Sequence, residues 1–153
     1  MLWLDKRIKP VKIYLASPFF NEKELDYYKK VLNILEKKKL TVYAPLKNEI
    51  SRENKTKEQW AKQTFSKDIE EINKADAVVM LFYGLYSDSG TSWECGYAYA
   101  TNKPVVVVHL HEGKSNCMIN CGSYSNLKGL QELENYDFDK MPIYNYYNTD
   151  IKG

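Results

Sequence analysis

Apolar and polar positions along this chain change period several times, and each change marks an element. Residues 11–16 (VKIYLA) form a short apolar run that stops at Ser17-Pro18, the pattern of a buried strand opening into a loop. From about Asn21, the positions Leu25, Tyr28, Val31, Leu32 and Leu35 recur at helical spacing. Glu22 and Glu24 open that segment and Lys37, Lys38 and Lys39 close it, an order that suits the helix dipole. Residues 40–46 predict a second strand ended by Pro45, and the charged stretch 47–57 predicts a loop placed to cover a site. Trp60, Phe65, Ile69 and Ile72 predict a helix over 59–73, which carries Asp68. Residues 75–82 are a continuous apolar run of the buried-strand kind, followed by a turn-rich loop over 83–90. A helix capped by Thr91 or Ser92 then reaches about Asn102, and after Pro104 comes the strand VVVVHL. Strand and helix alternate at short intervals, which predicts an α/β fold with a parallel sheet covered by helices on both faces. Ligands of such sheets bind at the carboxyl ends of the strands, so the candidate site draws on the loops 17–21, 45–49 and 83–94.

Composition narrows the picture. With 153 residues, 44% of them hydrophobic, the chain suffices for one substantial core, and a single domain over 1–153 is expected. Lys and Arg number 22 against 20 Asp and Glu, so no strong field draws the chain to nucleic acid or to an anionic membrane. Cys95, Cys117 and Cys121 make no even set, no CxxC and no His-rich pattern; reduced thiols in a cytoplasmic protein and no metal site are expected. The start, MLWLDKRIKP, lacks the apolar core of a signal peptide, and no run approaches the roughly 20 residues of a membrane span. Thirteen tyrosines, several of them in 136–147, suit either a core or a seam between subunits.

The chemistry concentrates where Asp88, Gly90 and Glu94 fall within seven residues at the start of a helix. A carboxylate there faces the positive end of the dipole and is held ionised, although acids in a first turn are also ordinary capping groups. The segment 88–98, DSGTSWECGYA, resembles the signature of the nucleoside 2-deoxyribosyltransferase family. Further features come in the family's order: Ile13-Tyr14, Pro45-Leu46 followed by a polar pair, Asp68-Ile69, and Ile119-Asn120. The likeness covers roughly residues 11–145.

The resemblance implies a flavodoxin-like, doubly wound sandwich around a five-stranded, mainly parallel sheet. It implies transfer of 2-deoxyribose between nucleobases, with deoxynucleosides and free bases as partners and no cofactor. Glu94 would attack C1′ and form a covalent glycosyl-enzyme, as in a retaining glycosidase. Asp68 would serve the departing base as acid, base or binding group, and Tyr14 would orient Glu94. Asp88, beside Gly90, would hold sugar hydroxyls. Asn120 would reach into the site of a neighbouring subunit, so a homo-oligomer is expected, a dimer or a hexamer of dimers. Phe19 and Phe20 in the first loop would stack on a base or line the floor under the sugar, or else plug the strand end. Where the family carries a base-reading glutamine, this chain has Glu49, an acceptor without a donor, with Lys47, Asn48 and Arg52 close enough in sequence to fill the same volume. A hydrolase acting on deoxynucleoside 5′-monophosphates is the nearest rival, and Asp88 argues against it by repelling a phosphate dianion. A non-catalytic nucleotide-binding module is the rival of a different class.

Overall fold

The computed structural model describes residues 9–85, 87–146 and 151–152. In chain order the elements are β1 (Lys12–Ala16), α1 (Glu22–Lys37), β2 (Thr41–Tyr43), α2 (Lys57–Lys74), β3 (Ala77–Phe82) and α3 (Ser89–Ala100). They continue as β4 (Val105–His109), β5 (Ser115–Asn116), α4 (Cys117–Gly122), β6 (Ser125–Lys128), α5 (Gly129–Asn135) and β7 (Ile151–Lys152). The main sheet runs β2-β1-β3-β4-β6 with every neighbouring pair parallel, and β5 pairs with β7 in a small separate ladder. This is the flavodoxin-like order, and the expected mainly parallel five-stranded sheet is wholly parallel. Its topological switch point lies between β1 and β3, where a crevice opens at the strands' carboxyl ends.

Alternation along the strands divides the core. Ile13, Leu15, Val79, Leu81, Val106 and Val108 face α1 and α5, whereas Tyr14, Ala16, Val78, Met80, Phe82 and Val107 face α2 and α3. Both faces are covered, and for that reason 77–82 and 105–109 read as unbroken apolar runs rather than as alternating ones. Helix starts are set by side chains. Asn21 accepts from the Glu24 amide at 2.9 Å while Glu24 accepts from the Phe20 amide at 2.8 Å, and Thr56 and Gln59 form a reciprocal capping box at α2.

Three boundaries differ from the sequence expectation. α3 opens at Ser89 with Asp88 as its cap, not at Thr91 or Ser92. β2 is three residues, because the chain turns after Tyr43: the Asn48 amide donates to the Ala44 carbonyl at 3.1 Å. The fifth strand of the sheet, β6, carries the buried polar pair Ser125 and Asn126, which no hydrophobic pattern would mark. Their groups are paired instead of excluded: Asn126 Oδ1 lies 2.8 Å from His109 Nε2 and Asn126 Nδ2 donates to the Asn120 carbonyl at 3.1 Å. Ser125 Oγ accepts from the Tyr144 amide at 2.8 Å. Among the described residues no helix is long and apolar enough to cross a membrane.

Candidate active site

Two strands and two helices bring the candidate groups together on the α2/α3 face of the sheet, beside the switch point. Tyr14 on β1 is fully buried, and its hydroxyl donates to Glu94 Oε2 from α3. Tyr43 is the register partner of Tyr14 across β1 and β2, so the two rings share a face and stack at 5.7 Å with 20° between planes. Asp68 on α2 meets the Tyr43 hydroxyl, whose hydrogen bond holds the carboxyl down against the burial that raises it. Two tyrosine–carboxyl pairs thus stand side by side.

Glu94 occupies the second turn of α3, beyond the unpaired amides at its start, so the expected stabilisation of its anion by the helix terminus does not apply. Burial dominates instead and pushes its carboxyl up to about 8; the Tyr14 hydrogen bond opposes the shift, and the charges of Asp68 and Asp88 add to it. Asp68 is pushed up to about 6, again by burial first. Between those values the two carboxyls hold one proton between them, a property of the pair rather than of either residue. Tyr14 is raised by burial and by Glu94, so it remains a protonated donor throughout the working range of pH, and Tyr43 is pushed up to about 12. Among the described residues no lysine or arginine pairs with Glu94, Asp68 or Asp88. Burial and mutual repulsion of these carboxyls are therefore not relieved by a neighbouring cation among the described residues.

Asp88 caps α3 through Oδ2, which accepts from the Thr91 amide at 2.7 Å and from Thr91 Oγ1 at 2.8 Å. Gly90 permits this, since a Cβ there would come within 3.2 Å of Asp88 Oδ2. Phe20 is 74% exposed at the mouth, while Phe19 is partly buried and meets Tyr28 of α1 edge-on at 6.5 Å. Phe20 is thus the more exposed of the two, and Phe19 packs in part toward α1.

Glu49 is exposed in the loop after β2. Its three sequence competitors are engaged elsewhere: Lys47 with Glu36 at 2.6 Å, Asn48 with the Ala44 amide at 3.4 Å, and Arg52 over the Trp60 ring at 3.9 Å. Asn120 is 1% exposed within its own fold, where it accepts from Ser115 Oγ at 2.6 Å. The neighbouring asparagine that faces open space is Asn116, which caps α4 and lines a cavity of about 550 Å³. That cavity lies between α3 and α4, walled by Met80, Phe82, Cys95, Tyr99, Met118 and Ile119, and does not contain the carboxyl pair.

Sequence reading missed Tyr43 and Asn116. The signal for Asn116 was its position before the short segment 117–122, a cap position. Tyr43 carried none until the register of β1 and β2 was known. Other nucleophiles are poorly placed: the buried Cys95 thiol is pushed up by burial, and His109 is held down by it. Among the described residues no group of three or more His, Cys, Asp or Glu is arranged to hold a metal ion.

The family model described as nucleoside 2-deoxyribosyltransferase matches residues 13–129, a span that includes Tyr14, Tyr43, Asp68, Asp88 and Glu94. A nucleoside deoxyribosyltransferase of Lactobacillus johnsonii is 30% identical over 92 residues, 59% of this chain and 61% of that protein. One from Lactobacillus leichmannii is 26% identical over 149 residues, covering 88% of this chain and 94% of its own length. Among solved structures, the 2-deoxyribosyltransferase of Bacillus psychrosaccharolyticus is similar with a TM-score of 0.83 at 36% identity, over 90% of this chain and all of that one (100%). A CMP N-glycosidase of Clostridium botulinum shares the fold at a TM-score of 0.54 and 18% identity, over 72% of this chain and 79% of that one. The resemblance carried by residues 88–98 is borne out: the chain belongs to the nucleoside 2-deoxyribosyltransferase family of enzymes.

Proposed function

We propose that this chain exchanges the 2-deoxyribosyl group between purine or pyrimidine bases in nucleoside salvage, through a covalent intermediate on Glu94. The observation that carries the reading is the partly buried Glu94 carboxyl held by the Tyr14 hydroxyl, with Asp68, the group that shares its proton, acting on both. The reactive form is the minor arrangement of the one-proton pair, in which the proton has passed from Glu94 to Asp68 and Glu94 is the anion. Glu94 then bonds to C1′ as the bond from C1′ to the base nitrogen breaks. The base leaves with the electron pair and takes its proton from Asp68. A second base attacks C1′, its proton passes to Asp68, and Glu94 departs as a carboxylate. Positive charge on the sugar between the two displacements matches the unpaired anions around it.

Asp88 keeps Oδ1 for a sugar hydroxyl while Oδ2 caps α3, and its charge favours a free nucleoside over a phosphorylated one. Phe20 supplies a face for the base, and Glu49 supplies an acceptor to its edge. Assembly into a homo-oligomer is supported by Tyr99, 66% exposed, and Met118, 77% exposed, at the rim of the cavity between α3 and α4. Free cysteines favour the cytoplasm.

The test mixes the protein with a deoxynucleoside donor and a different free base, then looks for the exchanged nucleoside and for a deoxyribosyl adduct on Glu94 by mass spectrometry. Glu94→Gln is expected to abolish both. Release of free deoxyribose at one rate, with or without acceptor base, would reject exchange in favour of hydrolysis.

A further inference from the structure

Tyr43 is the group of the cluster that the proposed chemistry leaves without a task. It lies on a three-residue edge strand, the poorest place in the sheet to hold a side chain rigid, yet its ring is fixed from three sides. Tyr14 stacks on one face at 5.7 Å, Lys67 Nζ lies 5.9 Å from the ring centroid, and the hydroxyl meets Asp68. Lys67 is itself tied to Glu71 at 2.9 Å, so α2, the edge strand and β1 converge on this ring. Asp68 is half-buried on α2, and the Tyr43 hydroxyl is the hydrogen-bonding partner that opposes the rise of its carboxyl.

We propose that Tyr43 is the positioning residue of Asp68: stacked on Tyr14, it donates its hydroxyl to one Asp68 oxygen and aims the other at the departing base. The inference rests on the reading of Asp68 as the group that protonates that base. It makes the register pair Tyr14 and Tyr43 a shared mount, with one ring serving the nucleophile and the other the acid. The charged and titratable groups that bear on Asp68 are Tyr43 from β2, Tyr14 from β1 and Glu94 from α3, while Glu70 and Glu71 of its own helix bear on Tyr43. Of these, Tyr43 is the one whose hydrogen bond favours the ionised form of Asp68.

Tyr43→Phe keeps the stacked ring and removes the donor. Exchange between a deoxynucleoside and a second base is expected to slow about tenfold in kcat, the scale of a misaligned proton donor. The limb of the kcat/KM profile near pH 6 is expected to move upward, because the lost hydrogen bond favoured the ionised form. Asp68→Asn should abolish that limb, and the double variant Tyr43→Phe with Asp68→Asn should be no slower than Asp68→Asn alone. An unshifted limb and unchanged kcat in Tyr43→Phe, with the limb gone in Asp68→Asn, overturns the role of Tyr43 and leaves Asp68 in place. A limb that survives Asp68→Asn overturns the reading beneath it. Should Tyr43→Phe fail to fold, 3-fluorotyrosine at position 43, a stronger donor of the same shape, is expected to move the limb downward; an unmoved limb is again the refutation.

Discussion

Glu94 is a carboxyl that its surroundings discourage from ionising, and this governs two measurements on single residues. Removing the Tyr14 hydroxyl removes the one influence that lowers the Glu94 pKa, so Tyr14→Phe is expected to shift the limb of the kcat/KM profile near pH 8 to higher pH, with a rate loss of about 10- to 100-fold at neutral pH. The same burial makes Glu94 a stability liability. Its folded value, about 8, exceeds the ordinary 4.5, so the stability it permits is present below the lower figure and is lost as pH rises through the upper one. Glu94→Gln is therefore expected to melt above wild type at pH 8, with the gap closing toward pH 4.5, as thermal denaturation across that range would reveal. At this scale the sequence was legible for Glu94, Tyr14, Asp68 and Asp88, because a family likeness pointed to each by motif. The burial of Asn120 against Ser115 was not legible, because an Ile-Asn pair says nothing about which way a side chain faces.

Among the elements, α3 shows a structural and a functional demand met by one side chain. Asp88 starts the helix with Oδ2, and asparagine caps as well as aspartate but without the charge. Asp88→Asn is expected to leave stability within about 0.5 kcal/mol while raising KM for the deoxynucleoside, whereas Asp88→Ala should also cost about 1 kcal/mol of unfolding free energy in urea titration. Equal stability of the two variants would separate Asp88 from the cap. The helices α1, α2 and α3 and the apolar strands β1, β3 and β4 were legible from period and run length, whereas the short α4 and α5 were not. β6 was not, because its inward positions are Ser125 and Asn126, and their burial is made tolerable by partners on β4, α4 and the segment after α5 that no local window contains. The start of α3 lies before Thr91 and Ser92 because Asp88 reaches forward to the Thr91 amide and hydroxyl and closes the first turn from Ser89.

For the whole molecule, the parallel order β2-β1-β3-β4-β6 places the switch point where Tyr14 stands, so the fold itself selects the site. The cavity of about 550 Å³ lies on the other side of α3 and leaves Tyr99 and Met118 in solvent. If a second copy covers it, Met118→Glu together with Tyr99→Glu should convert the assembly to a smaller species in size-exclusion chromatography with light scattering, and exchange should fall with it. An assembly of unaltered size would put the seam elsewhere.

The loop that bears Glu49 is pinned from behind: Trp60 donates to the Ile50 carbonyl at 3.0 Å and Arg52 covers the same indole. Its tether is the first turn of α2, whereas Asp68 rides two turns or more further along that helix. If Glu49 reads the base and Asp68 serves its departure, the two functions are separately mounted on α2. Glu49→Gln is expected to re-rank the accepted bases in a donor–acceptor matrix while the rate with the best pair stays within about threefold of wild type. On that outcome, new substrate ranges are to be sought at position 49, which can be exchanged like a bit in a drill while the Lys47–Glu36 and Asn48–Ala44 contacts stay in place.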